Sequence, residues 1–279
     1  MRIPLVSRRA PVVPIIRLNG VIAGGGRLRG GINLPGMAGP IEKAFRVKGA
    51  KAIALDLNSP GGSPVQSALV YRRIRSLAEE KGLRVLAFAQ DVAASGGYWL
   101  ACAADEIFAD ENSIIGSIGV ISSSFGLQDL IGKIGVERRV HTSGERKSFL
   151  DPFLPEKPGD VERLAALQSE MHESFRRLVV ERRGQRLKGA HADLFSGEFW
   201  TGRRALELGL IDGLGDLRGV LRERYGEKVR LRVFGGETGW LRRRLRFAGT
   251  VDTAASVASW ADGVMTAVEE RALWARYGL

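Results

Sequence analysis

Cysteine occurs once in the 279 residues, as Cys102, and histidine only three times, as His141, His172 and His191. One cysteine excludes a disulfide framework, and with so few histidines there is no zinc-type ligand spacing. No metal and no cofactor is expected. Long apolar runs are missing as well. None approaches the roughly 18 residues of a spanning helix, and Val12 to Ile16, interrupted by Pro14, is too short for a secretory leader. The expected location is therefore cytoplasmic, soluble or peripheral at the inner face of a membrane. Zinc-finger spacing and the aromatic-rich strands of RNA-binding modules are also lacking, so no nucleic-acid partner is expected.

Positive charge is plentiful. The formal net charge is +11, with basic residues gathered at Arg8-Arg9, Arg176 to Lys188 and Arg242 to Arg246. Such a balance favours anionic surfaces, phospholipid headgroups or nucleic acid, between which charge alone does not choose; an anionic membrane surface is the partner kept, and solvated basic faces are the plainer reading of each cluster. A hydrophobic content of 44% suffices for one large core, or for a domain with an appendage.

Periodicity predicts an α/β chain. Val12 to Leu18, Ala52 to Asn58 and Leu83 to Ala89 are near-continuous apolar runs, as strands buried on both faces of a mainly parallel sheet require. Gly20 to Gly39 reads as a glycine-rich loop and Ile41 to Val47 as helix. Ser63 and Pro64 are a helix start, a capping hydroxyl followed by a residue whose missing N–H is not needed there. Val70, Tyr71, Ile74, Leu77 and Ala78 form the apolar stripe of that helix. Glu106 to Ala109, Ile118 to Ser122 and Val136 to His141 read as short strands, and Phe125 to Ile134 as helix. A long amphipathic helix over Val161 to Arg183 places Leu164, Leu167, Met171, Phe175 and Leu178 at core spacing. A short helix falls near Arg203 to Leu208, a strand at Val229 to Phe234 and a last helix at about Val251 to Arg276. The division implied is a main domain, 1–225, and a basic C-terminal strand and helix appendage, 226–279, for oligomerisation or docking.

The stretch Asp91 to Ala104 contains Ala93-Ala-Ser-Gly-Gly-Tyr98, directly after an apolar run. A serine placed between a strand and a helix, followed by two residues without side chains, would sit among unpaired backbone N–H groups. Ser95 is therefore a candidate nucleophile, and a plain tight turn is the competing reading. A serine hydroxyl needs a base. None of the three histidines comes with an acidic orienter at useful spacing, which disfavours a serine, histidine and acid triad. The α/β-hydrolase elbow also fits poorly, because Ala93 stands where its leading glycine belongs. Lysine is the remaining base type, and burial or positive neighbours can depress a lysine enough for that work. Lys147 is the candidate, within Thr142-Ser-Gly-Glu-Arg-Lys147, with a solvated loop lysine as the alternative.

Four segments together are similar to the signal peptide peptidase A family of Ser-Lys proteases (peptidase family S49), including its SohB branch. They are Leu57-Asn-Ser-Pro-Gly-Gly-Ser63, Ala93 to Tyr98, Gly116-Ser-Ile-Gly-Val120 and Thr142 to Lys147, with Phe199 to Asp212 as a trailing signature. The resemblance covers about residues 12 to 222. It implies a Clp-protease/crotonase-like fold of repeated β-β-α units. It also implies Ser95 as nucleophile, Lys147 as general base, Ser117 as the residue orienting the lysine, and the backbone N–H groups of Gly62 and Gly96 as oxyanion hole. Amide hydrolysis would pass through an acyl-enzyme. The substrate would be an extended apolar peptide, such as a signal-peptide remnant, along Ala93, Tyr98, Ile118 and Val120. A homo-oligomeric ring, in which neighbours help to complete the sites, is implied too. Two other readings keep the fold. One is a crotonase-type acyl-CoA enzyme, which would need a placed carboxylate from Asp105, Glu106 or Asp110. The other is a non-catalytic scaffold that binds membranes or a partner.

Overall fold

A computed structural model describes residues 10–24, 31–144, 146–188, 190–235, 268 and 270–279. The basic clusters at Arg8-Arg9 and Arg242 to Arg246, and most of the expected last helix, lie outside them. The chain opens with β1 (Val12–Asn19), α1 (Leu34–Phe45), β2 (Ile53–Ser59), α2 (Pro64–Lys81), β3 (Val85–Ala94) and α3 (Gly96–Ala101). Next come β4 (Glu106–Ala109), β5 (Ile114–Gly116), α4 (Gln128–Lys133) and α5 (Pro158–Arg183). The chain continues through α6 (His191–Leu194), β6 (Phe199–Thr201), α7 (Gly202–Glu207), β7 (Gly213–Leu214), α8 (Leu217–Tyr225) and β8 (Arg230–Phe234).

All the strands join one sheet, in the order β6-β5-β3-β2-β1-β8, with β4 pairing to β3 and β7 pairing to β4. Every pairing is parallel except that of β5 with β6. The apolar runs behave as strands buried on both faces should. Ile16, Leu18, Leu55 and Leu57 enter the larger core beneath α1 to α3 and α5, while Val13, Ile15, Ala54 and Leu86 pack with Leu221 of α8 on the other face. Cys102 lies in the larger core, its thiol pushed up to about 12 by burial, and is inert as a nucleophile.

Several expectations need correction. Helix α1 begins inside the stretch read as glycine-rich loop, because Asn33 accepts the Gly36 N–H (2.9 Å) as N-cap and Pro35 fits the first turn. Ile118 to Ser122 does not form a strand. Positive φ angles at Gly116 (111°) and Ser117 (51°) turn the backbone out of the sheet just after β5. Val136 to His141 has no ladder partner among the described residues and is irregular. The strand of the expected appendage, β8, is hydrogen-bonded to β1 at the edge of the main sheet. In α5 only Phe175, Leu178, Val179 and Arg183 are buried, and Met171 is 45% exposed. In the first half of that apolar stripe Leu164 and Leu167 are only half-buried.

The helix that follows Ser95 is tied down from behind. Tyr98 on α3 donates its hydroxyl to the Leu210 carbonyl (2.7 Å). The same turn is clamped by Arg183, 2% exposed, which donates to the Gly209 carbonyl and to both Asp212 oxygens at 2.7 and 3.1 Å. Burial alone would raise the Asp212 carboxyl, but the Arg183 hydrogen bond and charge hold it below the usual range, with help from the Ile107 N–H. A carboxyl depressed on folding contributes stability above its unfolded value, and that contribution is lost as pH falls through the folded value. Urea unfolding should therefore show stability falling below about pH 4, with Asp212→Asn flattening that fall. Arg183→Leu, which leaves the carboxylate only the Ile107 N–H and the half-exposed Arg186, should cost about 3 kcal/mol at pH 7.

Candidate active site

Strand β3 delivers Ser95 to the C-terminal end of the sheet, where the chain reverses into α3. Ser95 sits at φ 51° and ψ −121°, a conformation that side-chain-bearing residues adopt only under constraint. Its N–H donates to the Gly116 carbonyl (2.8 Å), and its own carbonyl accepts the Trp99 N–H (3.0 Å), so the strain is held from both sides. Ser117, on the neighbouring chain segment after β5, has the same φ of 51° and is 5% exposed. Its N–H donates to Glu198 (2.7 Å), just before β6. Two strained serines thus stand side by side at the ends of paired strands.

The turn after β2 closes over them. A Cβ on Gly61 would lie 2.8 Å from both the Gly96 nitrogen and the Ser95 Cβ, so the two turns are in van der Waals contact. Gly62 has φ 133°, and a side chain there would meet the Ile22 carbonyl at 2.0 Å. The Gly62 nitrogen lies 3.4 Å from the position a Gly96 Cβ would occupy. Neither the Gly62 nor the Gly96 N–H has an acceptor among the described residues. Two donors side by side next to a serine hydroxyl can receive the negative charge that develops on a carbonyl oxygen under attack.

Asn58 fixes the relation of the two turns, a role that sequence reading missed. Its amide donates to Asp91 (2.7 Å) and accepts the Val92 N–H (3.1 Å), bridging β2 and β3 where their register shifts between Leu57 and Ser59. The signal was present, since an asparagine ends an otherwise apolar strand. A second missed residue is Tyr277. Its hydroxyl donates to Ser117 Oγ (3.2 Å) and approaches the Pro60 carbonyl (3.5 Å), while its ring packs edge-on against Phe199 and beside Val92 and Ala94. Nothing in the last few residues of the sequence marks that reach of 160 positions.

The other expected residues fall in different places. Ala93, Tyr98 and Ile118 are fully buried, and the Tyr98 hydroxyl is engaged by Leu210; Val120 is half-buried. Tyr98 thus anchors α3 from the core, where the sequence suggested groove lining. Lys147 is exposed, and its ammonium makes no hydrogen bond to Ser95 or Ser117. It lies on an arm, residues 121–157, on which α4 has no buried residue and Phe125 and Ile134 are 75% and 66% exposed. The arm is held within itself by the Arg138 to Asp151 ion pair (3.0 Å) and by Arg138 over the Phe153 ring. Of the histidines, His172 bonds the Ile118 carbonyl (3.1 Å), His191 packs on Phe195 and His141 is exposed. The carboxylates that acyl-CoA chemistry would need are engaged in structure. Asp105 holds Arg75, Arg182 and the Val85 N–H. Glu106 is kept below the usual range by its Arg224 hydrogen bond, and Asp110 by the Asn112 N–H.

A mainly parallel α/β sheet thus sets a strained serine beside two backbone donors at the C-terminal ends of its strands. The chain belongs to peptidase family S49, whose model matches residues 78–229, more than half of it. It is 35% identical over 213 residues to the chloroplastic serine protease SPPA of Arabidopsis thaliana, covering 74% of this chain and 31% of that one. Protease 4 of Haemophilus influenzae is 33% identical over 177 residues, 63% of this chain and 28% of that one. A Brucella abortus protein named Na(+)/H(+) antiporter NhaA is 54% identical over 272 residues, 96% of this chain. The chain spans only 37% of that protein's length. No helix among the described residues is long and apolar enough to cross a membrane.

Proposed function

We propose that the chain is a serine endopeptidase acting on extended apolar peptides such as signal-peptide remnants, with Ser95 as nucleophile and Lys147 as its base. The observation that carries this reading is the strained Ser95 beside the two N–H groups of Gly62 and Gly96. Ser95 Oγ attacks the peptide carbonyl carbon as its proton passes to Lys147 Nζ. The carbonyl oxygen, now negative, lies against the two N–H groups. Collapse breaks the C–N bond, and the lysine returns the proton to the departing amine. A water that gives its proton to the same lysine then attacks the acyl ester, and the lysine passes that proton to Ser95 Oγ as the acid departs. The irregular segment after Ser117 would pair with the substrate backbone as an added strand. The acyl-CoA alternative is weakened by the ion pairs that hold Asp105 and Glu106.

The lysine is supplied, in this reading, by a neighbouring copy in a homo-oligomeric ring. The support is the arm itself, which carries Lys147 together with exposed Phe125, Leu130 and Ile134, while the first half of α5 leaves Val161 and Met171 exposed. Packing between copies would bury both and bring an ammonium to a serine of the next chain. Ser95→Ala and Lys147→Ala should each lower cleavage of an apolar peptide roughly a thousandfold or more, with circular dichroism unchanged. Mixing the two inactive variants after subunit exchange should restore part of the activity. Cleavage retained in either single variant removes that residue from its role, and an inactive mixture argues against a lysine in trans.

Tyr277 bears on the same step, because its phenol occupies the Ser117 oxygen that would orient the ammonium. Lysine docking requires the phenol to give way. Tyr277→Phe keeps the ring packing on Phe199 and removes the hydroxyl, so peptide cleavage should quicken several-fold. An unchanged or slower rate would mean that the Tyr277 bond supports Ser117 and does not compete for it.

A further inference from the structure

At the end of the sheet away from Ser95, the start of β1, the end of α1 and β8 enclose a hollow of about 840 Å³. Six of its lining residues are cationic, Lys43, Arg46, Lys48, Lys51, Arg230 and Arg232, and no carboxylate of the described residues lines it. Its floor is apolar, with Val12, Val47 and Phe234 fully or partly withdrawn from solvent, while all six cations are exposed at the rim. Backbone bonds build the shape in advance: the Lys51 N–H donates to Val12 (3.0 Å) and the Arg230 N–H to Pro11 (2.8 Å). Among the described residues only Arg46 has a carboxylate partner, Glu42, and that carboxylate also takes Arg73. Six like charges gathered in one concave place repel one another. A site whose described residues offer so little internal compensation is matched to a ligand bearing several negative charges.

We propose that this hollow is a docking surface for the anionic phospholipid headgroups of a bilayer, attaching the peptidase peripherally with its serine directed away from the contact. The cationic rim would face the phosphates of the bilayer surface, and the hollow has room for the glycerol end of a headgroup that enters it. It suits a nucleic acid poorly. The one aromatic ring in the hollow, Phe234, is partly buried and carries the Arg232 guanidinium over it (5.4 Å), so no face is open for a base to stack. The parallel sheet sets the geometry. The hollow lies at the N-terminal end of β1 and Ser95 just beyond the C-terminal end of β3, so a membrane at one leaves a peptide path at the other. In sequence the hollow is continuous with Arg8-Arg9 before Ala10 and with Arg242 to Arg246 a few residues beyond Phe234.

The full chain is sedimented with vesicles of phosphatidylcholine alone and of phosphatidylcholine with phosphatidylglycerol, at two salt concentrations. Binding should require phosphatidylglycerol and weaken with salt. The triple variant Lys48→Glu, Lys51→Glu, Arg232→Glu should lose about a hundredfold or more in vesicle affinity. A control triple with the same change of charge elsewhere, Arg72→Glu, Arg204→Glu, Arg218→Glu, should stay within a few-fold of the parent. Peptide cleavage without vesicles should be the same in all three proteins, and since vesicle binding is read without cleavage, failure of one reading is distinguishable from failure of the other. Equal losses in both triples, no binding by the parent, or competition by free glycerol phosphate as effective as the vesicles would overturn the proposal. So would a groove triple that loses a short DNA duplex but keeps its vesicles.

Discussion

Two turns touch, and the rest of the site depends on that contact. The turn after β2 and the reversal after β3 approach until Gly61 has no room for a Cβ against Ser95 and Gly96. Only backbone can be brought so close, and only backbone N–H groups can then stand beside a serine without a side chain intervening. The parallel pairing of β2 with β3 sets the distance, and the Asn58 bridge sets the offset across their register shift. Strain at Ser95 is the cost of the arrangement, and the Gly116 and Trp99 hydrogen bonds hold it.

Behind this front the structure is built to resist movement. Tyr98 reaches through the core to Leu210, and Arg183 clamps the same turn to Asp212, so α3 cannot tilt without breaking a buried ion pair. In front, the chain is open. The arm that bears Lys147 is held by its own Arg138 to Asp151 ion pair, and the Tyr277 phenol bonds Ser117. The strained serine and its two donors are thus fixed by the core, while Lys147 stands apart from them on an exposed segment.

Much of this was legible in the residues. The apolar runs gave the parallel strands, Ser63 and Pro64 gave the start of α2, and Ser95 with its glycines gave the reversal. What escaped had physical reasons. Asn33 and Pro35 were a helix start hidden among glycines. Ile118 to Ser122 has strand composition, but two successive positive φ angles lead it out of the sheet. Tyr98 resembles a groove residue by position, yet α3 turns it into the core. Leu164, Leu167 and Met171 have helical spacing for burial, yet the first two are only half-buried and Met171 is exposed. Periodicity reports that a face is apolar and is silent on whether its partner lies in the same chain. The contact of Tyr277 with Ser117 spans nearly the whole sequence and depends on tertiary packing alone.

The most direct measurement of the central claim is covalent. The protein is treated with a serine-directed fluorophosphonate and digested, and the modified peptide is located by mass spectrometry. The account predicts one adduct, on Ser95, that grows in step with the loss of peptide cleavage. An adduct on another residue that tracks the loss of activity, with Ser95 unmodified, would contradict it.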